Sequence, residues 1–190
     1  MIATERVVDA TRAWLERVVI GYQFCPFAKP VHEINAIRYT PVVATDFAHA
    51  LEAVYQECLY LSAHPDTATT LVIFPNGFDD FNTYLDLLAM AEQLMTQNRM
   101  NGEFQLASFH PDYLFDGEPA DAPSHFTNRS PYPVIHIIRE DDIEKAMKGK
   151  DDASAIFERN MAKANKLGRE HFVKLLQAIR HTSADDNAPL

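Results

Sequence analysis

The chain is poor in the residues that identify small specialised folds: of its 190 residues, only 2 are cysteine and 6 are glycine. Cys25 and Cys58 are too few for a disulfide framework and too far apart for a CxxC motif. No apolar run approaches the ~20 residues of a membrane-spanning helix, and residues 1–6 lack the basic and apolar segments of a signal peptide. We therefore expect a cytoplasmic protein with both thiols reduced.

Three catalytic signatures are also missing. The sequence contains no glycine-rich phosphate loop, no HExxH pair and no GxSxG elbow. Basic residues are in the minority, with 17 Lys and Arg against 27 Asp and Glu and a net charge of −10. Such an acidic surface repels phosphate backbones and anionic lipids, so we expect neither a nucleic-acid nor a membrane partner.

What remains is the composition of a folded globular protein, 47% hydrophobic and 23% charged. We expect a single domain over residues 1–181 and a polar, disordered tail over 182–190. Apolar residues at helical spacing predict helices at about 4–20, from 45 or 46 to before 64, at about 80–100 and at about 152–180. Short β-rich runs predict strands at 34–40, 69–74, 103–110 and 133–139.

This order of elements predicts an α/β sandwich of two or three layers around a small mixed four-stranded sheet. Strands joined through a helix are usually parallel, so the first three strands should be parallel and the fourth should return antiparallel beside the third. The continuously apolar run from Leu71 to Phe74 is typical of a central strand that is covered on both faces.

Residues 111–132 form an unusually long segment without periodicity, and loops of this length are often functional. Ligands of open α/β sheets bind beyond the carboxyl ends of the parallel strands. The polar residues expected to converge at this edge are Asn76, His110, Asp112, Arg129 and Tyr132.

His110 is a candidate general acid or base, because imidazole titrates near neutrality. It is also a candidate metal ligand together with Asp112 and His125. The alternative is a histidine at a strand end that only hydrogen-bonds to nearby backbone groups.

Arg129 offers a planar fork of donors for a carboxylate or phosphate. Asn76, Asn128, Ser130 and Tyr132 are the residues that we expect to help it bind substrate. The alternative is an internal ion pair of Arg129 with one of the acidic residues of the same long loop, which are Asp112, Asp116, Glu118 and Asp121.

Cys25, in the sequence Cys-Pro-Phe-Ala, is similar to a one-thiol glutaredoxin turn, in which a helix dipole activates the thiol. Pro30 would end such a helix after about one turn, so a buried structural cysteine is the alternative that we favour. Cys58 and His136 lie on apolar stripes and are expected in the core.

Four segments together resemble the bacterial proteins grouped as domain of unknown function 1415. They are residues 19–21 (VIG), 25–29 (CPFAK), 109–111 (FHP) and 128–133 (NRSPYP). The resemblance covers nearly the whole chain and implies a soluble, single-domain bacterial protein. It places Cys25, His110 and Arg129 within family motifs and implies no particular activity or cofactor.

The leading hypothesis is an enzyme that acts on a small anionic metabolite, with Arg129 binding the anion and His110 transferring a proton. One alternative is a non-catalytic module that binds a metal or a small molecule. A further alternative is a thiol redox protein that depends on Cys25. The sequence names neither a cofactor nor an oligomeric state.

Overall fold

A four-stranded mixed sheet lies at the centre of the computed structural model, which describes residues 4–147 and 153–185. The strands are β1 Ile37–Pro41, β2 Thr69–Ile73, β3 Phe104–Phe109 and β4 Val134–Arg139. Their spatial order is β1-β2-β4-β3, and β4 runs antiparallel to both of its neighbours while β1 and β2 are parallel. The predicted strand directions are therefore confirmed, and β4 is inserted between β2 and β3.

Helices surround this sheet on both faces. They are α1 Thr4–Trp14, which continues as a π-helical segment Leu15–Ile20, α2 Ala28–Glu33, α3 Phe47–Ala63, α4 Phe81–Gln97, a 3₁₀ helix Pro123–Thr127, α5 Glu140–Met147, α6 Ala153–Leu167 and α7 Arg169–Asp185. The side chains of Asp46 and Asp80 accept hydrogen bonds from the third backbone N–H beyond them, which stabilises the starts of α3 and α4. No described helix is long and apolar enough to cross a membrane.

Alternation along the strands explains the layers. Leu71 and Ile73 of β2 pack on the face that Val7 of α1 covers. Val72 points to the other face and packs into the apolar core that includes α3 and α4. All five residues of β2 are buried, as predicted for a central strand. The fold is thus an α/β sandwich with helices on both faces of a mixed sheet, which confirms the predicted class.

A second apolar cluster, which we call the Trp14 cluster, joins the elements on the α1 face of the sheet. Trp14 and Val18 pack with Phe126 of the 3₁₀ helix and with Phe172 of α7. Cys58 lies in the opposite core and is fully buried, as predicted, and burial raises its pKa to about 12.

Two helical predictions are wrong in their boundaries. The single last helix is divided into α6 and α7, because Gly168 has a left-handed φ of +84° that ends the first of them. The start predicted at 152 lies outside the described residues. Helix α7 continues to Asp185, into the segment predicted as a tail, while 186–190 lie outside the described residues.

A short helix also forms where the sequence analysis placed none. Pro30 is the third residue of α2, and a first turn tolerates proline because its N–H groups have no partner within the helix. The helix ends at Glu33, so Pro30 lies within a helix of six residues.

Candidate functional site

The ends of β2 and β3 and the start of β4 lie at one edge of the sheet. The register places Ile73 opposite Val134 and Val134 opposite Phe109. The long loop 111–132 therefore begins and ends at this edge, where we expected the candidate site residues to lie. We refer to this region as the carboxyl edge.

The backbone of His110 is tied directly to the segment that contains Arg129. The N–H of His110 donates to the carbonyl of Asn128 at 3.2 Å, and the N–H of Ser130 donates to the carbonyl of His110 at 3.4 Å. These two hydrogen bonds bracket Arg129. The structure thus brings His110 and Arg129 together through their main chains.

The imidazole of His110 is fully buried and both of its nitrogens are engaged. Nε2–H donates to the carbonyl of Phe78 at 3.0 Å, and Nδ1 accepts from the N–H of Asp112 at 3.0 Å. The ring packs against both Phe81 and Tyr84 of α4, with each ring centroid 5.1 Å away. Burial lowers the pKa of His110, so the neutral ring with its proton on Nε2 fits both hydrogen bonds.

Two other predicted substrate-binding residues use their side chains within the chain. Asn128 donates to the carbonyl of Ser108 at 3.1 Å, and the buried hydroxyl of Ser130 donates to the carbonyl of Tyr132 at 2.5 Å. The half-buried ring of Tyr132 packs against the Trp14 cluster, and burial raises its pKa. These contacts shape the loop end that precedes β4.

Asn76 follows β2 in the turn that also contains Phe78, the partner of His110. Its side chain is half-buried and makes no hydrogen bond within the described part of the chain. Asn76 therefore lies at the carboxyl edge with a polar group available for a ligand.

The histidine proposed as a second metal ligand is also engaged with backbone groups. Nε2–H of His125 donates to the carbonyl of Pro119 at 2.8 Å, and Nδ1 accepts from the N–H of Phe115 at 3.0 Å. Among residues 4–147 and 153–185, no group of three His, Cys, Asp or Glu side chains is arranged to hold a metal ion. A metal site on His110, Asp112 and His125 remains a prediction from the sequence.

Arg129 is held in a different way, because contacts fix only part of its guanidinium. Nε donates to the carbonyl of Tyr113 at 3.2 Å, and Cζ lies 4.7 Å from the centre of the Phe126 ring. The carbonyl of Arg129 accepts from the indole N–H of Trp14 at 2.9 Å. The side chain is half-buried, and its position is set at both ends by the folded chain.

The predicted internal ion pair of Arg129 is not formed within the described residues. None of their carboxylates lies within ion-pair distance of its guanidinium. Burial, and after it the positive charge of Arg169, lower the pKa of Arg129, while the carboxylate of Asp112 raises it by less. Arg129 is therefore a partly desolvated cation with no carboxylate at ion-pair distance in this part of the chain.

Arg169 reaches the same region through α7. The ring of Phe126, which lies beneath the guanidinium of Arg129, stacks on Phe172 with a centroid distance of 5.3 Å. Phe172 follows Arg169 by three residues, so both lie on one face of α7. Sequence reasoning missed Arg169 because it placed this residue inside a continuous helix, although Gly168 immediately before it was a visible break signal.

Cys25 lies between the π-helical segment and α2, on the rim of the Trp14 cluster. The backbone before it is held by α6, where Asn160 donates to the carbonyl of Phe24 at 2.5 Å and Lys163 donates to that of Tyr22 at 2.8 Å. Burial raises the pKa of Cys25, and the N–H groups of Phe27 and Ala28 lower it by less. The thiol is thus the favoured form at neutral pH.

His136 of β4 is bonded as expected for a core histidine. The hydroxyl of Thr69 donates its only hydrogen to the carbonyl of Ile137 at 2.5 Å, so it accepts from Nε2–H of His136 at 2.7 Å. Burial lowers the pKa of His136 to about 4.

The fold and the carboxyl edge define an α/β protein with a half-buried, anchored arginine beside the ends of its central strands. The chain belongs to the family described as Protein of unknown function (DUF1415), whose model matches residues 6–174. This match confirms the resemblance of the four sequence segments. No curated protein and no solved structure matched the chain.

Proposed function

We propose that the protein binds a small anionic metabolite at the carboxyl edge, with the guanidinium of Arg129 as its main receptor. The observation that supports this proposal is the half-buried guanidinium without a carboxylate at ion-pair distance in the described residues. A cation withdrawn from water is stabilised by an anion with matching hydrogen bonds.

The orientation of Arg129 indicates how an anion would bind. Nε is used by the carbonyl of Tyr113, and one face of the guanidinium lies on Phe126. The two terminal nitrogens offer parallel N–H donors, which fit two oxygens of one carboxylate or phosphate. The nearby charge of Arg169 would favour the same anion through longer-range attraction.

In this proposal His110 is a positioning residue. Its backbone brackets Arg129, and its ring connects the Phe78 turn to Asp112. A proton transfer by His110 would require one of these ring hydrogen bonds to break first, and burial of the ring opposes its protonation. Anion binding by Arg129 does not depend on such a step.

Equilibrium binding of acetate and of inorganic phosphate tests the proposal at constant ionic strength. Because a hydrogen bond to a charged group contributes about 1.5 to 3 kcal/mol, Arg129→Gln should weaken binding at least about tenfold. Arg169→Gln, which removes an exposed charge, should weaken it about threefold.

Arg17→Gln is the matched control, since Arg17 is exposed on the π-helical segment. It removes the same net charge and should leave both affinities unchanged. Equal weakening by Arg17→Gln and Arg129→Gln would show that only the overall charge matters. That result, or no saturable binding of either anion, would refute the proposed site.

A further inference from the structure

Aromatic side chains continue from Arg129 toward the surface. The ring of Tyr113, whose carbonyl accepts from Arg129, lies 5.0 Å from the ring of Phe115. Phe115 in turn lies 5.4 Å from Phe157 of α6. Tyr113 and Phe115 are half-buried, so this row is only partly covered by the chain.

The outer end of the row is exposed. Phe157 is 44% exposed and Leu114 is 42% exposed. Scattered exposed apolar side chains are common, but Phe157 contacts Phe115 and Leu114 lies between Tyr113 and Phe115 along the chain. We call Tyr113, Leu114, Phe115 and Phe157 the apolar strip.

The apolar strip adjoins Arg129 through Tyr113. The carbonyl of Tyr113 accepts from Nε of Arg129 at 3.2 Å, and its ring begins the row of aromatic contacts that ends at Phe157. A ligand with its charged end on Arg129 would therefore meet the apolar strip with the rest of its body. A plain inorganic anion would leave the strip in contact with water.

We propose that the ligand is an amphipathic organic anion, with a carboxylate or phosphate bound by Arg129 and an apolar or aromatic body on the strip of Tyr113, Leu114, Phe115 and Phe157. This inference rests on the anion site proposed above and specifies its ligand class. Edge-to-face contacts already join the rings of the strip, and an aromatic body would extend that arrangement.

Two pairs of probes test the inference, each pair differing by one phenyl group: acetate with phenylacetate, and inorganic phosphate with phenyl phosphate. Partial burial of a phenyl group should tighten binding about tenfold in at least one pair. Phe157→Ala should reduce this preference to about threefold or less, while the affinity for the plain anion stays the same. Leu114→Ala provides a second variant of the strip.

Met90→Ala is the matched control, because Met90 is 41% exposed on α4 and does not belong to the strip. It should keep the full preference for the phenyl compounds. Plain and phenyl probes that bind equally well to the wild type would overturn the inference while leaving the anion site intact. A preference that survives both Phe157→Ala and Leu114→Ala would overturn it too. If none of the four probes depends on Arg129, the proposed function itself fails.

Discussion

Replacing His110 with alanine should destabilise the protein strongly, because the imidazole connects two backbone segments inside the fold. The variant leaves the buried carbonyl of Phe78 and the N–H of Asp112 without their partners. These losses cost about 1 to 2 kcal/mol each, and the cavity left beside Phe81 and Tyr84 adds about 1 to 2 kcal/mol. The expected loss in the free energy of unfolding is therefore about 4 kcal/mol.

Urea denaturation followed by tryptophan fluorescence measures this loss directly. The chain has one tryptophan, and Trp14 is only 1% exposed, so its emission should report global unfolding. The control is His49→Ala, since the side chain of His49 is 80% exposed and its removal should cost less than about 1 kcal/mol. A His110→Ala variant as stable as this control would refute the structural role assigned to His110.

Three further predictions concern the thiols, the imidazole of His136 in β4 and two glycines. Because burial raises the pKa values of both thiols, native Cys25 should react with iodoacetamide at pH 7.5 more slowly than a thiol in an unfolded peptide, and Cys58 should react only after unfolding. Rapid labelling of Cys25 would support the thiol redox hypothesis instead. Because the pKa of His136 is lowered in the folded state, the unfolded state takes up a proton first as the pH falls. Stabilisation that is present above about pH 6.5 is therefore lost toward pH 4, and the loss in the free energy of unfolding is about 2 kcal/mol at pH 5. Urea titrations should show this extra acid sensitivity in the wild type and not in His136→Gln, and identical pH profiles would contradict it. Gly77→Ala should lower the melting temperature more than Gly168→Ala, because both have positive φ but only at Gly77 would a Cβ meet backbone atoms 2.8 Å away; equal melting temperatures would refute this.

Much of the fold could be predicted because local patterns determine it. The β-rich runs locate all four strands of the sheet to within a few residues, and the helices predicted to start at 45 or 46 and at about 80 begin directly after Asp46 and Asp80. Val54, Cys58 and Leu61, which share one periodic stripe of α3, are indeed buried. In these cases, the short-range signal and the tertiary packing agree.

The insertion of β4 between β2 and β3 could not be predicted in the same way. Strand neighbours are chosen by pairing between distant segments, such as Val72 with Ile135, and no local pattern specifies that choice. The division at Gly168 depends on a left-handed conformation that glycine permits but does not require.

The candidate site could be predicted only in part. The positions of His110 and Arg129 at one edge follow from the strand directions. The use of both His110 nitrogens depends on Phe78, which comes from a distant turn, and the nearness of Arg169 depends on how α7 packs. Such contacts follow from tertiary packing and not from spacing along the sequence.

Binding of a small anion by Arg129 should be visible at the side-chain Nε–H resonance of this residue. This N–H is held by the carbonyl of Tyr113, so its signal should be observable in a ¹H–¹⁵N spectrum of arginine side chains. During a phosphate titration at constant ionic strength, we expect a saturable shift of the Arg129 signal and none for the exposed Arg17. An Arg129 signal that stays unchanged, or that moves together with every other arginine signal without saturation, would contradict it.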